Sequence, residues 1–140
     1  MTETELTDLK DRLNSVSDRL NLLITQEEAY LHALGLGVQT FIKIDNESGS
    51  KVRLGYSKLN GAWKIVLREY ENEIQYEDRP LDRVARGIRF HIAKRLPELR
   101  AAVIQNAKEL ADKIEKFLIE TENTSEEVKD ESDAEIRRIL

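Results

Sequence analysis

Several features are missing from this 140-residue chain, and each absence excludes a class of protein. Cysteine is absent, which excludes disulfide scaffolds, thiol catalysis and cysteine-ligated zinc. No apolar run approaches the ~20 residues that a transmembrane helix needs. The acidic N-terminal segment has neither the basic n-region nor the continuous apolar h-region of a secretory signal. We therefore expect a cytoplasmic protein that does not associate with a membrane.

Motifs for catalysis, metal binding and phosphate binding are missing as well. The two histidines, His32 and His91, stand in no HExxH or catalytic-triad spacing. Gly35-Leu-Gly37 follows a predicted helix rather than a strand, so it is interpreted as a helix stop and not as a phosphate loop. The acids cluster at predicted strand edges or in the C-terminal tail, where no two of them form a general acid–base pair. We predict a non-enzymatic protein with no cofactor and no metal site.

Charge is abundant but unevenly distributed along the chain. The net charge is −5, and charged residues make up 35% of the sequence. Residues 1–34 and 121–140 each contain seven acids and three bases, whereas residues 35–120 contain 16 bases and 13 acids. An acidic–basic–acidic layout is consistent with self-pairing as well as with a nucleic-acid footprint. The acidic total argues against non-specific DNA binding, which depends on neutralising phosphates.

Leucines near the N-terminus follow the 3-4 spacing of a coiled-coil seam. Thr2 and Glu5 form a capping box and Gly35 ends the helix, which predicts one heptad helix over residues 1–34. Such a helix is ~48 Å long at 1.5 Å per residue, whereas the strands predicted below span only ~25–30 Å. The helix should therefore extend beyond the sheet and pair with another helix, either in a homodimer or higher homo-oligomer or in a protein partner. The residues of this N-terminal seam are Leu6, Leu9, Leu13, Val16, Leu20 and Leu23.

Three segments alternate with the period of a β-strand: residues 37–45, 51–58 and 62–70. Asn60-Gly61 between the last two is a strong signal for a type I′ hairpin turn. This turn pairs Tyr56 with Ile65 and Leu54 with Leu67, so that apolar residues face each other.

For the first hairpin, the register that keeps the apolar residues on one face pairs Thr40 with Tyr56, Ile42 with Leu54 and Ile44 with Val52. Its loop is predicted within residues 45–51, which are rich in Asn, Ser and Gly.

These registers predict a row of three cations, Lys43, Arg53 and Arg68, across the opposite face of the sheet. Lys64 lies further along the same face, and Phe41 lies over Gly55 in the row between. Like charges opposite each other are destabilising, so the row is a candidate site for an anionic ligand or nucleic acid. The alternatives are a solvated face offset by Asp45 or Glu69, or a face covered by an acidic helix or by the acidic tail.

Beyond the third strand, residues 73–78 are predicted as a short, charged edge strand. Pro80 opens a helix that runs to about Arg95, and Pro97 opens another that runs to about Glu120. Residues 121–131 are predicted as a solvated acidic tail, followed by a short terminal helix. The apolar stripe of the 80–95 helix consists of Leu81, Val84, Ala85, Ile88, Ile92 and Leu96. The near-heptad stripe of the last long helix consists of Leu99, Val103, Ala107, Leu110, Ile114 and Phe117.

The opposite face of the 80–95 helix combines cations with an aromatic ring. Its residues are Arg83, Arg86, Phe90 and Lys94. Exposed cations beside a ring are typical of surfaces that bind phosphates and stack bases. The alternative is that Phe90 packs against the N-terminal helix while the cations pair with acids of that helix.

The fold predicted from these patterns is α+β: a long coiled-coil-like N-terminal helix, a three- to four-stranded antiparallel meander and two C-terminal helices. One domain is predicted over residues 1–120 (helix 1–34, sheet 37–78, helices 80–120), with an acidic tail over 121–140. The predicted function is an oligomeric interaction or adaptor protein assembled through its heptad helices. The alternative is a small protein that binds nucleic acid or a nucleotide on the basic sheet face and the Arg/Phe helix face.

Overall fold

The computed structural model describes residues 1–44 and 51–139, with side chains described over 1–44 and 51–124. Its elements confirm the predicted α+β class. The helices are α1 (Glu3–Leu34), α2 (Arg86–Ala93) and α3 (Leu96–Ile139), and a 3₁₀ turn spans Leu81–Arg83. The strands are β1 (Thr40–Ile44), β2 (Val52–Leu59), β3 (Ala62–Tyr70) and β4 (Tyr76–Pro80).

The ends of α1 follow from its capping residues. The Thr2 hydroxyl accepts a hydrogen bond from the Glu5 N–H, and Glu3 and Glu5 place negative charge at the positive end of the helix dipole. At the other end Gly35 adopts a left-handed φ of 63° and donates its N–H to the His32 carbonyl. The predicted helix bounds are therefore confirmed.

The four strands form one antiparallel sheet in sequence order. Both predicted registers are confirmed, with Tyr56 opposite Ile65 and Ile42 opposite Leu54. Asn60 and Gly61 have positive φ values of 53° and 84°, as a type I′ turn requires. The predicted loop of the first hairpin falls largely on residues 45–50, which lie outside the described residues.

β1 and β4 differ from their predicted bounds because each is preceded by a local turn. Gly37 has a φ of 57°, and the Thr40 hydroxyl donates to the Val38 carbonyl, so β1 begins at Thr40 rather than at residue 37. The Asn72 side-chain oxygen accepts the N–H groups of Ile74 and Gln75. That turn moves β4 to Tyr76–Pro80, compared with the predicted 73–78.

The single helix predicted over residues 80–95 is wrong in its first half. Pro80 ends β4 instead, at the sheet edge where a missing N–H is tolerated. A 3₁₀ turn follows, and then Val84 and Ala85 are extended. The Arg89 guanidinium donates twice to the Val84 carbonyl and stabilises this break. Because α2 starts later than predicted, a different face of the helix is turned toward the core. Ile88, which was predicted in the apolar stripe, is 51% exposed.

α3 is longer than predicted. The helix continues to Ile139, through the segment predicted as an acidic tail and a short terminal helix. No proline or glycine occurs after Pro97, so no residue in this segment opposes helix continuation sterically.

The hydrophobic core lies between one face of the sheet and the helices packed on it. Leu54 and Leu67 from the sheet are at most 2% exposed. They pack with residues of α1, the 3₁₀ turn, α2 and the first turns of α3. The helical members of the core are Ile24, Leu31, Leu81, Val84, Ile92, Ala93, Leu96, Leu99 and Val103.

An acid on α1 binds the edge of β3 beyond the end of β4. The last pair between β3 and β4 is Val66 with Pro80, and just beyond it the Ile65 N–H donates to the Glu28 carboxylate at 2.9 Å. Burial raises the pKa of Glu28, and this effect is opposed by the Ile65 hydrogen bond and by the positive charge of Lys64. Glu28 thus satisfies a backbone donor that the sheet leaves unpaired.

The chain divides into two compact units, Met1–Gln105 and Asn106–Leu140. The sheet and the core described above belong to the first unit. The second unit consists of the later turns of α3.

Candidate functional site

The predicted row of cations exists, and a fourth strand completes it. Lys43 is opposite Arg53, Arg53 is opposite Arg68, and Arg68 is opposite Asp78 of β4. The row therefore ends in a carboxylate.

Arg68 is largely buried among side chains of this sheet face. Its Nε and Nη2 donate to the two Asp78 carboxylate oxygens at 2.7 and 2.9 Å. Its guanidinium carbon lies 3.9 Å from the centre of the Phe41 ring and 3.8 Å from that of the Tyr76 ring. Arg68 is only 8% exposed, and the hydrogen bond to Asp78 raises its pKa further above the ordinary arginine value. A buried guanidinium that pairs through Nε and Nη2 with a carboxylate and lies against two aromatic rings is a structural group rather than a ligand-binding one.

Phe41 reaches Arg68 across a glycine. A Cβ added at Gly55 would overlap the Phe41 ring, so only glycine allows the ring to lie flat on β2. The predicted contact of Phe41 with Gly55 is confirmed. Phe41 thus connects β1 to the ion pair between Arg68 on β3 and Asp78 on β4.

The remaining cations of this face are more accessible. Arg53 is half-buried, with its guanidinium 5.4 Å from the centre of the Tyr70 ring. Lys43 and Lys64 are exposed. The group that pairs with Arg68 is Asp78, which was not among the predicted neutralising groups (Asp45, Glu69, an acidic helix or the tail). The sheet face is therefore less basic than predicted. Asp45 and the tail side chains from residue 125 onward lie outside the described residues.

The second predicted group, hereafter the α2 surface, consists of Arg83, Arg86, Phe90 and Lys94. Arg83 lies in the 3₁₀ turn, and the other three lie one helical turn apart along α2 and its C-cap. Phe90 is 55% exposed, and the Lys94 ammonium lies 4.5 Å from its ring centre. Arg83, Arg86 and Lys94 are exposed, and no ion pair joins them to a carboxylate among the described side chains.

The ion pairs expected in the alternative are absent among the described side chains, since the three cations of the α2 surface pair with no acid of α1. Phe90 is 55% exposed, and a polar contact of α2 with α1 comes from Arg89, whose guanidinium donates to the Asn21 side chain. The α2 surface is thus left accessible.

The N-terminal seam is mostly exposed. Each of residues 1–16 is exposed, and the apolar contacts of α1 with the core begin at Leu20 and continue through Ile24 and Leu31. Leu20 is therefore shared with the core. The other seam residues are exposed by 45–51%: Leu6, Leu9, Leu13, Val16 and Leu23.

A similar apolar stripe lies on α3 within the second unit. Leu110, Ile114 and Phe117 continue the heptad spacing and are 45%, 48% and 63% exposed. We call these three residues the C-terminal seam. Val103 and Leu99 of the same predicted stripe are buried in the core of the first unit.

Asp78, the partner of Arg68, is not predicted from the sequence. Part of the signal was present, because the row continues into the predicted edge strand and so requires one of its residues opposite Arg68. Only the turn at Asn72, which sets the register of β4, identifies that residue as Asp78.

Comparison of the chain with protein-family models, with curated proteins and with solved structures finds no match. Among the residues that the structure describes, no helix is both long and apolar enough to span a bilayer. Within the same residues, no three or more His, Asp or Glu side chains cluster in a way that would hold a metal ion.

Proposed function

We propose that this chain is a non-enzymatic interaction protein that self-associates through its heptad helices. The observation that supports the proposal is the N-terminal seam, whose apolar side chains are exposed on a part of α1 that extends beyond the core. The exposed helical residues 3–16 correspond to ~21 Å of helix at 1.5 Å per residue.

Self-association explains why such an extension is helical. Isolated helices of ~12–15 residues are marginally stable in water, and most helix stability in proteins comes from packing an apolar face. Leu6, Leu9, Leu13 and Val16 form that face, and the core of their own subunit does not cover it. Burying a leucine side chain contributes ~1.5–3 kcal/mol, so a second copy of the seam would stabilise both extensions.

Charges beside the seam favour a parallel pair of α1 helices. With Leu6 and Leu13 at heptad position a, Glu5 falls at g and Lys10 at the following e. In a parallel pair, g and the following e of the other chain are neighbours, so Glu5 meets the second copy's Lys10. An antiparallel pair centred on the same leucines would instead place Arg12 near the second copy's Arg12, and Lys10 near its Lys10.

The mass in solution tests self-association. We expect the wild-type chain to have a multiple of its 16.2 kDa mass in sedimentation equilibrium. The double variant Leu9→Lys with Leu13→Lys should be monomeric at the same concentration, because both lysines would have to be buried in the seam. Leu22→Lys is the matched control, since Leu22 is 55% exposed on another face of α1. A monomeric wild type, or equal loss in the control, would contradict the proposal.

The same design separates the two seams and tests their orientation. Ile114→Lys tests the C-terminal seam, with the 59% exposed Ile119→Lys as its control. The absence of cysteine allows single-cysteine crosslinking. Leu13→Cys should form a disulfide-linked dimer on oxidation if α1 pairs in parallel, whereas Leu22→Cys should not. If only a mixture of Leu6→Cys and Val16→Cys chains crosslinks, the pair is antiparallel.

A further inference from the structure

Lys and Arg residues are more frequent in and around α2 than in the chain as a whole. Residues 79–95 contain six Lys and Arg side chains and one carboxylate, Asp82, in a protein of net charge −5. A concentration of one sign within a short segment creates a local potential that the net charge does not reveal.

Most other arginines in the described residues already have an anionic or carbonyl partner. Arg68 pairs with Asp78, Arg95 with Glu98, and Arg100 with Glu27. Arg83, Arg86 and Lys94 form no ion pair with a carboxylate among the described side chains. Their hydrogen-bond donors are therefore accessible to a ligand.

Phe90 adds a second, independent property to this surface. A phenylalanine that is 55% exposed contributes little to the core, and Lys94 covers one part of its ring. Arg86 and Lys94 lie one turn to either side, ~6 Å along the helix axis. Between Arg86 and Phe90 the backbone at Gly87 is open, since an added Cβ there would meet no atom within 4 Å.

We propose that the α2 surface binds single-stranded nucleic acid, with phosphates at Arg83, Arg86 and Lys94 and a base stacked on Phe90. This combination of a cationic track with an accessible ring is how proteins bind single strands with little sequence preference. A base can stack on the ring only if it is not already stacked in a duplex, which favours a single strand over a double helix.

The test is fluorescence anisotropy of the full-length chain with a labelled 20-nucleotide uridine oligomer and a duplex of the same length. We expect binding to the single strand at 50 mM salt that weakens steeply by 200 mM salt. Phe90→Ala should weaken binding roughly 5- to 100-fold, since base stacking on a ring is lost. Ile88→Ala is the matched control, because Ile88 is 51% exposed on the same helix and has no ring.

The charges are tested in the same assay. Arg86→Gln and Lys94→Gln should each weaken binding and reduce the slope of log affinity against log salt by about one. Arg79→Gln is the control, because Arg79 is 53% exposed but pairs with Glu77. Phe90→Tyr should retain binding, which distinguishes loss of stacking from loss of folding.

Several results would overturn the proposal. They are no binding by the wild type at 50 mM salt, tighter binding to the duplex, and equal losses in the test and control variants. Equal affinity for polyglutamate would assign the surface to acidic proteins. Binding to vesicles with 30% phosphatidylserine, in preference to the oligomer and with the same dependence on Phe90, would assign it to a membrane instead.

Discussion

Two groups of basic side chains in this protein have the same charge and opposite environments. Arg68 in the sheet is 8% exposed, paired with Asp78 and held between two rings. Arg83 and Arg86 beside α2 are exposed and lack a carboxylate partner among the described residues. The role of a cation in this protein thus depends on whether the fold also supplies its anion. Removing Asp78 from beside Arg68 should therefore change the free energy of unfolding far more than removing the cations of the α2 surface.

The largest effect is expected where the anion is removed. Asp78→Asn leaves the Arg68 guanidinium buried without its counter-charge, and breaking one partner of a buried pair costs ~3 kcal/mol or more. Urea denaturation should measure this as a lower free energy of unfolding at unchanged m-value.

Two further variants test whether the cost comes from the orphaned charge. Glu77→Gln removes the neighbouring carboxylate, which is 63% exposed in its pair with Arg79, and should change stability by less than ~0.5 kcal/mol. The double variant Arg68→Met with Asp78→Leu should recover most of the stability lost in Asp78→Asn. If Asp78→Asn is as mild as Glu77→Gln, the Arg68 pair does not stabilise the sheet.

A smaller loss of stability is expected when the Phe41 ring is moved away from the Arg68 guanidinium. Gly55→Ala would push Phe41 away from both β2 and the guanidinium, and overpacking of this kind costs ~1–3 kcal/mol. Gly87→Ala is the matched control in α2, where an added methyl meets nothing and should stabilise by ~0.4–1 kcal/mol. Thermal or urea unfolding of both variants measures the difference. If the loss arises at Phe41, Gly55→Ala should cost much less in a Phe41→Ala background; equal losses in both backgrounds would exclude that cause.

These environments were predictable from the sequence to different degrees. The Asn60-Gly61 turn and the alternation of Leu54, Tyr56 and Ile65 determine the register locally, so the row from Lys43 to Arg68 is predicted correctly. The register of β4 depends on a side-chain turn at Asn72, and this contact has no periodic signature. The periodicity of the sequence therefore does not predict that Arg68 pairs with Asp78.

The sequence predicts which residues form the α2 surface, but it does not predict the contacts around them. Helical spacing groups Arg86, Phe90 and Lys94 whether the helix starts at residue 80 or at Arg86. At the break Arg89 donates both to the Val84 carbonyl and to the Asn21 side chain of α1. That break is a tertiary effect, because the same residues have the periodicity of one continuous helix.

The smallest effect on stability is expected when the α2 surface loses its charges. The triple variant Arg83→Gln, Arg86→Gln and Lys94→Gln removes no ion pair with a described carboxylate, so the free energy of unfolding should stay within ~0.5 kcal/mol of wild type. Raising salt from 50 to 500 mM should stabilise the wild type slightly more than the variant, because salt screens repulsion that the variant no longer has. Urea denaturation at both salt concentrations measures the two differences.

Arg100→Gln is the control for the triple variant, since Arg100 pairs with Glu27, which is only 12% exposed, and lies over the Tyr30 ring. Removing it leaves the Glu27 carboxylate poorly solvated and should lower the free energy of unfolding. A loss in the triple variant as large as that of Arg100→Gln would mean that the α2 cations stabilise the fold. Unchanged stability would instead mean that any loss of oligonucleotide binding in the same residues reports on contact with the ligand, because the surface that presents them is intact.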